Sequence, residues 1–211
     1  LSHGNITSNA HATSKCFPDL NENDCSLSIL PWAHVFGLGE LIVYCLLGGA
    51  VGLAESAATI SEDILLVKPT FLTAVPRVFN KIYDGLWTKM NEEGGLAKAL
   101  FVMGVESGKK KRELAAEGKS CFMTNLKFKI ADAVVFEKIR QKLGGRLKGS
   151  MTGSAAMNPE ISHFFWDMGI PLYDAYGLTE TSPGATMNCP YKYKIGSVGP
   201  LMGMCTIVID K

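Results

Sequence analysis

The 211-residue chain reads as an α/β protein: parallel-sheet layers flanked by helices, closing on a short β-rich C-terminal portion. Three observations predict this. Short β-branched apolar runs alternate with longer capped helical stretches, at the spacing of right-handed crossovers between parallel strands. Proline or glycine closes several of these runs, as at Pro31, Gly48-Gly49 and Gly169. With 47% hydrophobic and 19% charged residues, the chain has apolar material for one sizeable core, or for one large piece of a bigger one.

In chain order, "LSHGNITSN" offers Ser2 or Asn5 as the cap of a first helix. Ser26 to Leu30 is a short apolar run stopped by Pro31, hence a strand. A helix follows from about His34 to Leu47, and a strand from about Ala50 to Leu53. Val35 to Ala54 is nearly long enough to span a bilayer, which takes about 20 apolar residues. It carries Glu40, however, and Gly48-Gly49 interrupt it, so a buried helix, a glycine turn and a strand fit better.

"TISEDILLVKP" has a hydroxyl cap, early acids and a closing proline, the signals of a complete helix. "TFLTAVP", Thr70 to Pro76, is the next strand. From Arg77 to about Leu143 the pattern gives two or three helices and little strand character. The charged "KKKR" of Lys109 to Arg112 reads as a solvated helix face rather than a nuclear signal. Leu96, Leu100 and Met103, at helical spacing just before it, suit either core packing or contact with a membrane surface.

Alternation resumes at "GRLKGSM", a strand that runs into Gly153-Ser154-Ala155-Ala156. Asn158 then caps a helix with Pro159 in its first position and Glu160 in its first turn. Ile161, Phe164, Phe165 and Met168 share one face of it, and Gly169 ends it. Ile170 to Tyr176 is a strand, and "KIGSVGPLMG" and "CTIVID" are short β pieces.

Several function classes are disfavoured. A net charge of +1 implies no basic face, so nucleic acid is a poor partner. The six cysteines, Cys16, Cys25, Cys45, Cys121, Cys189 and Cys205, form no C-x-x-C and are expected as reduced thiols in a cytoplasmic-type compartment. His3, His11, His34 and His163 form no H-E-x-x-H, and no G-x-x-x-x-G-K-[ST] phosphate loop occurs. The sequence shows no signal-peptide pattern, and both ends read as cut from a longer protein.

Two strand ends can carry chemistry, because ligands of open α/β sheets bind outside the carboxyl ends of parallel strands. In "TGSAAM", small residues let the backbone approach a flat ligand, or simply let a helix pack tightly on the sheet. In "DAYGLTETSP", Tyr176 offers a ring for stacking, and Gly177 permits a turn closed to most residues. Thr179 and Thr181 offer hydroxyls for phosphate oxygens, and Glu180 an oxygen that Mg²⁺ accepts beside a nucleotide. The competing reading is a strand-to-loop turn with threonine capping and a solvated glutamate.

"YGLTETSP", preceded by "TGSAAMNPEISHFFWDMGIPLYDA", resembles the adenylate-forming superfamily, and within it the long-chain fatty acyl-CoA synthetases. "LPWAHVFG", "PTFLTAVPRVFNKIYDGL" and "IGSVGPLMGM" carry the resemblance along the rest of the chain; bubblegum-type acyl-CoA synthetases share much of the layout. The resemblance implies an adenine pocket lined by Gly153, Ser154 and Ala155 and by the strand end Asp174, Ala175, Tyr176 and Gly177. It places Thr179 on the α-phosphate, Glu180 on Mg²⁺ with ATP, and His34 beside the acyl pocket. Left to its position on an apolar helix, His34 reads as a satisfied core histidine.

The implied substrates are a fatty acid, ATP and coenzyme A, in a fatty acid–CoA ligase that forms acyl-AMP and then acyl-CoA. The family's Ser/Thr/Gly-rich phosphate loop, ribose-binding Asp and C-terminal catalytic Lys are not in this sequence. Residues 1–211 are therefore expected to be the central part of the large N-terminal domain, catalytically inactive alone. The rival reading is a non-catalytic truncated module that holds an acyl chain or a partner protein. The resemblance also leaves open a peripheral membrane contact for an otherwise cytoplasmic enzyme.

Overall fold

Ser2 opens the first helix, α1 (His3–Cys16), through a reciprocal cap. Its hydroxyl accepts from the Asn5 N–H at 3.2 Å, while the Asn5 side chain accepts from the Ser2 N–H at 2.9 Å. The structure, a computed structural model, describes residues 1–56, 58–203 and 205–209.

The elements then alternate: β1 (Cys25–Ser28), α2 (Val35–Leu47), β2 (Ala50–Leu53), α3 (Ile60–Val67) and β3 (Phe71–Ala74). Gly48 ends α2 in the left-handed conformation, φ 71°, which favours glycine. The β3 strand stops before the expected Pro76, which instead takes the first position of α4 (Pro76–Glu93), where its missing N–H costs nothing.

The helical middle comprises α4, α5 (Gly95–Ala116), and a long rod of α6 (Phe122–Ala131), a π turn (Asp132–Phe136) and α7 (Glu137–Lys142). β4 (Gly149–Thr152), α8 (Pro159–Asp167), β5 (Leu172–Gly177), a 3₁₀ turn (Thr179–Thr181) and β6 (Gly184–Met187) complete the order. Asn158 caps α8 as expected, accepting from the Glu160 N–H at 2.9 Å.

The strands form one sheet in the order β2-β1-β3-β4-β5-β6. The first five pair in parallel, with Phe71 opposite Gly149 and Ser150 opposite Leu172. β6 is antiparallel to β5, with a bulge at Tyr176/Gly177. The expected "CTIVID" strand does not form: residues 205–209 are irregular and Val208 and Ile209 are exposed, while Asp210 lies outside the described residues. A β-prone run becomes a strand only when a ladder partner satisfies its backbone, and none of the described residues supplies one.

Two cores cover the sheet. On one face α3, α4, α5, α8 and the rod bury Phe79, Phe101, Phe136, Phe164 and Phe165. Their rings meet edge to face, Tyr83–Phe164 at 4.9 Å and Phe79–Phe165 at 5.5 Å between centroids. On the other face α1 packs through Phe17, whose ring lies 5.1 Å from Phe71 and 5.3 Å from Tyr173. Among the described residues no helix is long and apolar enough to cross a membrane. Lys109 to Lys111 are exposed on α5, as a solvated face requires, while Arg112 pairs with Asp167 on α8.

Candidate functional site

The α1 face opens, at the carboxyl ends of β3, β4 and β5, into a cleft walled by α1 and α2. Its floor is apolar, with Phe17, Phe36, Val43, Phe71 and Met151. The rim comes from the two segments singled out in the sequence: Gly153 and Ser154 after β4, and Ala175, Tyr176, Gly177 and Thr179 at the end of β5. His34 joins them from the start of α2. Seven expected site residues from three distant stretches thus share one cleft.

His34 is the cap of α2, not a core histidine. It is exposed, and its Nδ1 accepts from the Phe36 N–H at 3.2 Å. That bond fixes the tautomer with the proton on Nε2 and leaves an N–H free to donate. Tyr176 is 46% exposed, so its ring face is available. Ser154 takes a left-handed φ of 70°, a conformation that costs a non-glycine residue about 1 kcal/mol.

Gly177 has a different reason for being glycine than the expected turn. It is not among the positive-φ residues; instead a Cβ there would overlap the Pro183 carbonyl oxygen, which accepts from the Leu178 N–H at 3.0 Å. The bulge folds the chain back so tightly that no side chain fits.

The two threonines divide their work. The Thr181 hydroxyl accepts from the Leu178 N–H at 2.8 Å and donates to the Pro183 carbonyl, so it staples the turn. Thr179 is exposed at the cleft, and among the described residues no hydrogen-bond partner takes up its hydroxyl. Glu180, beside it, is exposed and stands just outside the lining. Among the described residues no group of three His, Cys, Asp or Glu side chains assembles to hold a metal. Glu180 can therefore offer one carboxylate to a cation whose other ligands are water and substrate oxygens, the pattern Mg²⁺ prefers.

Ala155 and Asp174 also lie outside the cleft lining. Ala155 is exposed past the rim. Strand alternation turns Asp174 to the α8 side of β5, where its carboxylate accepts from the Met157 N–H at 3.4 Å and lines a small cavity with Ser162 and Asn188. Burial pushes its carboxyl above the ordinary range, against the pull of the Met157 and Ala175 N–H groups.

The cleft contains groups that motif reading missed. Glu40 on α2 is buried beneath it, accepting from the Ser26 hydroxyl, with Oε2 unpartnered among the described residues. Burial drives its carboxyl from 4.5 to about 7, although the Ser26, Ser28 and Thr73 hydroxyls pull it down. Tyr44, one turn on, is raised by burial and by the neighbouring Glu40 charge, and its hydroxyl is likewise unpartnered there. Asn9 on α1 clamps the far loop: its Nδ2 donates to the Gly184 carbonyl at 2.7 Å, and its Oδ1 accepts from the Gly184 N–H at 3.2 Å. A lone carboxylate in an apolar helix was a visible signal for Glu40; nothing in the sequence links Asn9 to Gly184.

Comparison with known proteins shows the family and the fold. The chain matches the AMP-binding enzyme family over residues 1–211. It is 36% identical over 212 residues to long chain acyl-CoA synthetase 8 of Arabidopsis thaliana, covering 95% of this chain and 29% of that protein. It is 30% identical to fatty acyl-CoA synthetase A of Dictyostelium discoideum, covering 97% of this chain and 30% of that one. The chain thus spans about a third of the length of the curated relatives it matches. The fold is similar to that of o-succinylbenzoate coenzyme A synthetase from Bacillus subtilis, solved in complex with ATP and magnesium ion. That similarity has a TM-score of 0.61 at 18% identity, over 100% of this chain and 34% of the other. The chain belongs to the AMP-binding enzyme family.

Proposed function

We propose that this chain is the central part of the N-terminal adenylation domain of a fatty acid–CoA ligase. The observation that carries the reading is the convergence of Gly153-Ser154 and Ala175–Thr179 on the rim of a cleft whose floor is apolar. A nucleotide at the rim and an acyl chain along the floor satisfy both halves of that cleft. The relatives' names, long chain acyl-CoA synthetase and fatty acyl-CoA synthetase, support the same substrate class.

In this reading adenine stacks on Tyr176 and lies against the backbone of Gly153, Ser154 and Ala155. Asp174, facing α8, acts by holding the strand end and the 153–157 loop together rather than by touching the base. The fatty acid carboxylate oxygen attacks the α-phosphorus of ATP, the bond to pyrophosphate breaks, and acyl-AMP forms. The thiol of coenzyme A then attacks the acyl carbon and AMP leaves. Thr179 donates its hydroxyl to an α-phosphate oxygen, and His34 Nε2–H faces the carboxylate end of the acyl pocket. Mg²⁺ held with ATP at Glu180 would supply charge neutralisation on the phosphates. The unpaired thiols of all six cysteines suit a cytoplasmic setting.

The test is fatty acid-dependent ATP–pyrophosphate exchange by the intact protein, over acids from short to very long. Exchange with at least one of them is expected, and Glu180→Gln is expected to depress it far more than it weakens fatty acid binding. Equal loss of both removes the metal role from Glu180; no exchange with any acid refutes the ligase.

A further inference from the structure

The apolar floor of the cleft holds two polar groups that the proposed reaction does not use. Glu40 and Tyr44, one turn apart on α2, both line the cleft and are only 5% and 2% exposed. The Glu40 carboxyl is half engaged: Oε1 accepts from the Ser26 hydroxyl, while Oε2 has no partner among the described residues. The Ser28 and Thr73 hydroxyls come near enough to pull the carboxyl down without completing a bond to that oxygen. The Tyr44 hydroxyl also has no partner among the described residues. Gly49 leaves room for its ring, since a Cβ there would come within 3.0 Å of Cδ1.

Buried polar atoms without partners cost stability, and apolar side chains at both positions would suit a plain hydrocarbon chain better. The pair has a chemical complement. Glu40 Oε2 can accept and the Tyr44 O–H can donate, so one alcohol hydroxyl satisfies both, giving its proton to Oε2 and accepting from Tyr44. A carbonyl can only accept, and a methylene does neither. The helix sets the depth of the site. From His34 to Glu40 the rise along α2 is about 9 Å, and to Tyr44 about 15 Å. The two groups therefore lie well below the cap residue that faces the carboxylate end.

We propose that the acyl substrate is a hydroxy acid whose mid-chain hydroxyl sits between Glu40 Oε2 and the Tyr44 hydroxyl. The inference rests on the ligase reading for the course of the acyl chain along the floor, and it names the substrate class within that reading. A site built to bond a hydroxyl rejects the analogue that lacks it, because its own buried groups are then left unpaired. The floor closes over both atoms, so an entering chain has to part the apolar side chains around them. The two hydrogen bonds of a chain hydroxyl offset that cost, and a plain chain has nothing to set against it.

The test is calorimetric binding of the intact protein to palmitic acid and to derivatives hydroxylated at mid-chain or beside the carboxylate, with ATP–pyrophosphate exchange measured on the same acids. The mid-chain hydroxy acid is expected to bind about tenfold more tightly than palmitic acid, and the acid hydroxylated beside its carboxylate to show no such gain. Tyr44→Phe and Glu40→Leu are each expected to remove the preference, while palmitic acid binds at least as tightly as to wild type. Tyr44→Phe changes only one oxygen, so it keeps the test open should Glu40→Leu fail to fold by circular dichroism. The proposal is overturned if wild type fails to bind the mid-chain hydroxy acid or binds it no more tightly than palmitic acid. It is equally overturned if a hydroxyl beside the carboxylate gives the same gain, or if the preference survives Tyr44→Phe. Binding with the expected preference but no exchange on any acid refutes the ligase and leaves the hydroxyl site standing; exchange without the preference does the reverse.

Discussion

Glu40→Gln should stabilise the protein, and by an amount that depends on pH. Glu40 is only 5% exposed, and burial raises its carboxyl from 4.5 to about 7. At about 1.4 kcal/mol per pH unit, that interval amounts to about 3 kcal/mol. Below pH 4.5 the group is protonated in both folded and unfolded chains, and its full contribution to stability is retained. Between 4.5 and about 7 the unfolded chain ionises while the folded one does not, so stability falls as pH rises. Above about 7 the loss is complete.

Glutamine keeps the shape and the acceptor for Ser26 but carries no charge. Urea unfolding of wild type and variant at about pH 5 and about pH 8 isolates the Glu40 contribution, because every other group titrates in both proteins. The expected difference is small at about pH 5 and about 2–3 kcal/mol in favour of Gln at about pH 8. A difference of equal size at both pH values refutes the reasoning, since it would mean that the Glu40 carboxyl titrates alike in the folded and unfolded chains.

Three further perturbations test the account of the site and its frame. Gly177→Ala should cost about 2–3 kcal/mol in denaturant, because the new methyl overlaps the Pro183 carbonyl. Ser154→Gly should raise the melting temperature by relieving the φ of 70°, a gain of about 1 kcal/mol, and no gain would mean that Ser154 is unstrained. Lys148→Met removes the partner 2.7 Å from the buried Asp24 and should cost about 1–2 kcal/mol near neutral pH. Burial works to raise the Asp24 carboxyl, but hydrogen bonds from Lys148, Thr70 and the Asn21 N–H, with the Lys148 charge, hold it below 3.8. Its contribution is therefore present above 3.8 and lost as pH falls through the lower folded value, so the variant's acid unfolding should lose part of that dependence.

The layer order was legible because local signals agreed with tertiary ones. Asn158-Pro159-Glu160 opens α8, Gly48 closes α2, and the apolar runs that begin at Phe71 and Leu172 enter the sheet where both its faces are buried. The C-terminal "CTIVID" was misread because β propensity states a readiness to pair, while the partner belongs to the rest of the fold. The direction of Asp174 was legible in principle. Tyr173 packs against Phe17 on the α1 face, so its neighbour Asp174 must point to the α8 face. The family resemblance groups it with Tyr176 in one pocket.

The cleft shows where sequence chemistry stops being sufficient. Thr179 and Thr181 are the same residue type two positions apart, and either hydroxyl suits a phosphate oxygen. Only the return of the chain at Pro183 decides between them, by engaging Thr181 within the turn and leaving Thr179 open. That return is itself fixed from elsewhere. Asn9 pairs with both backbone groups of Gly184 and donates to the Thr181 carbonyl at 3.3 Å, so α1 holds the loop that presents Thr179. Glu40 is the reverse case. Its position in an apolar helix told against a membrane span, and the same anomaly marks a buried polar patch with Ser26 and Tyr44 under the apolar floor of the cleft. A residue that violates its element's pattern therefore carries information about the site, whereas one that fits a motif must still be shown to have a free hand.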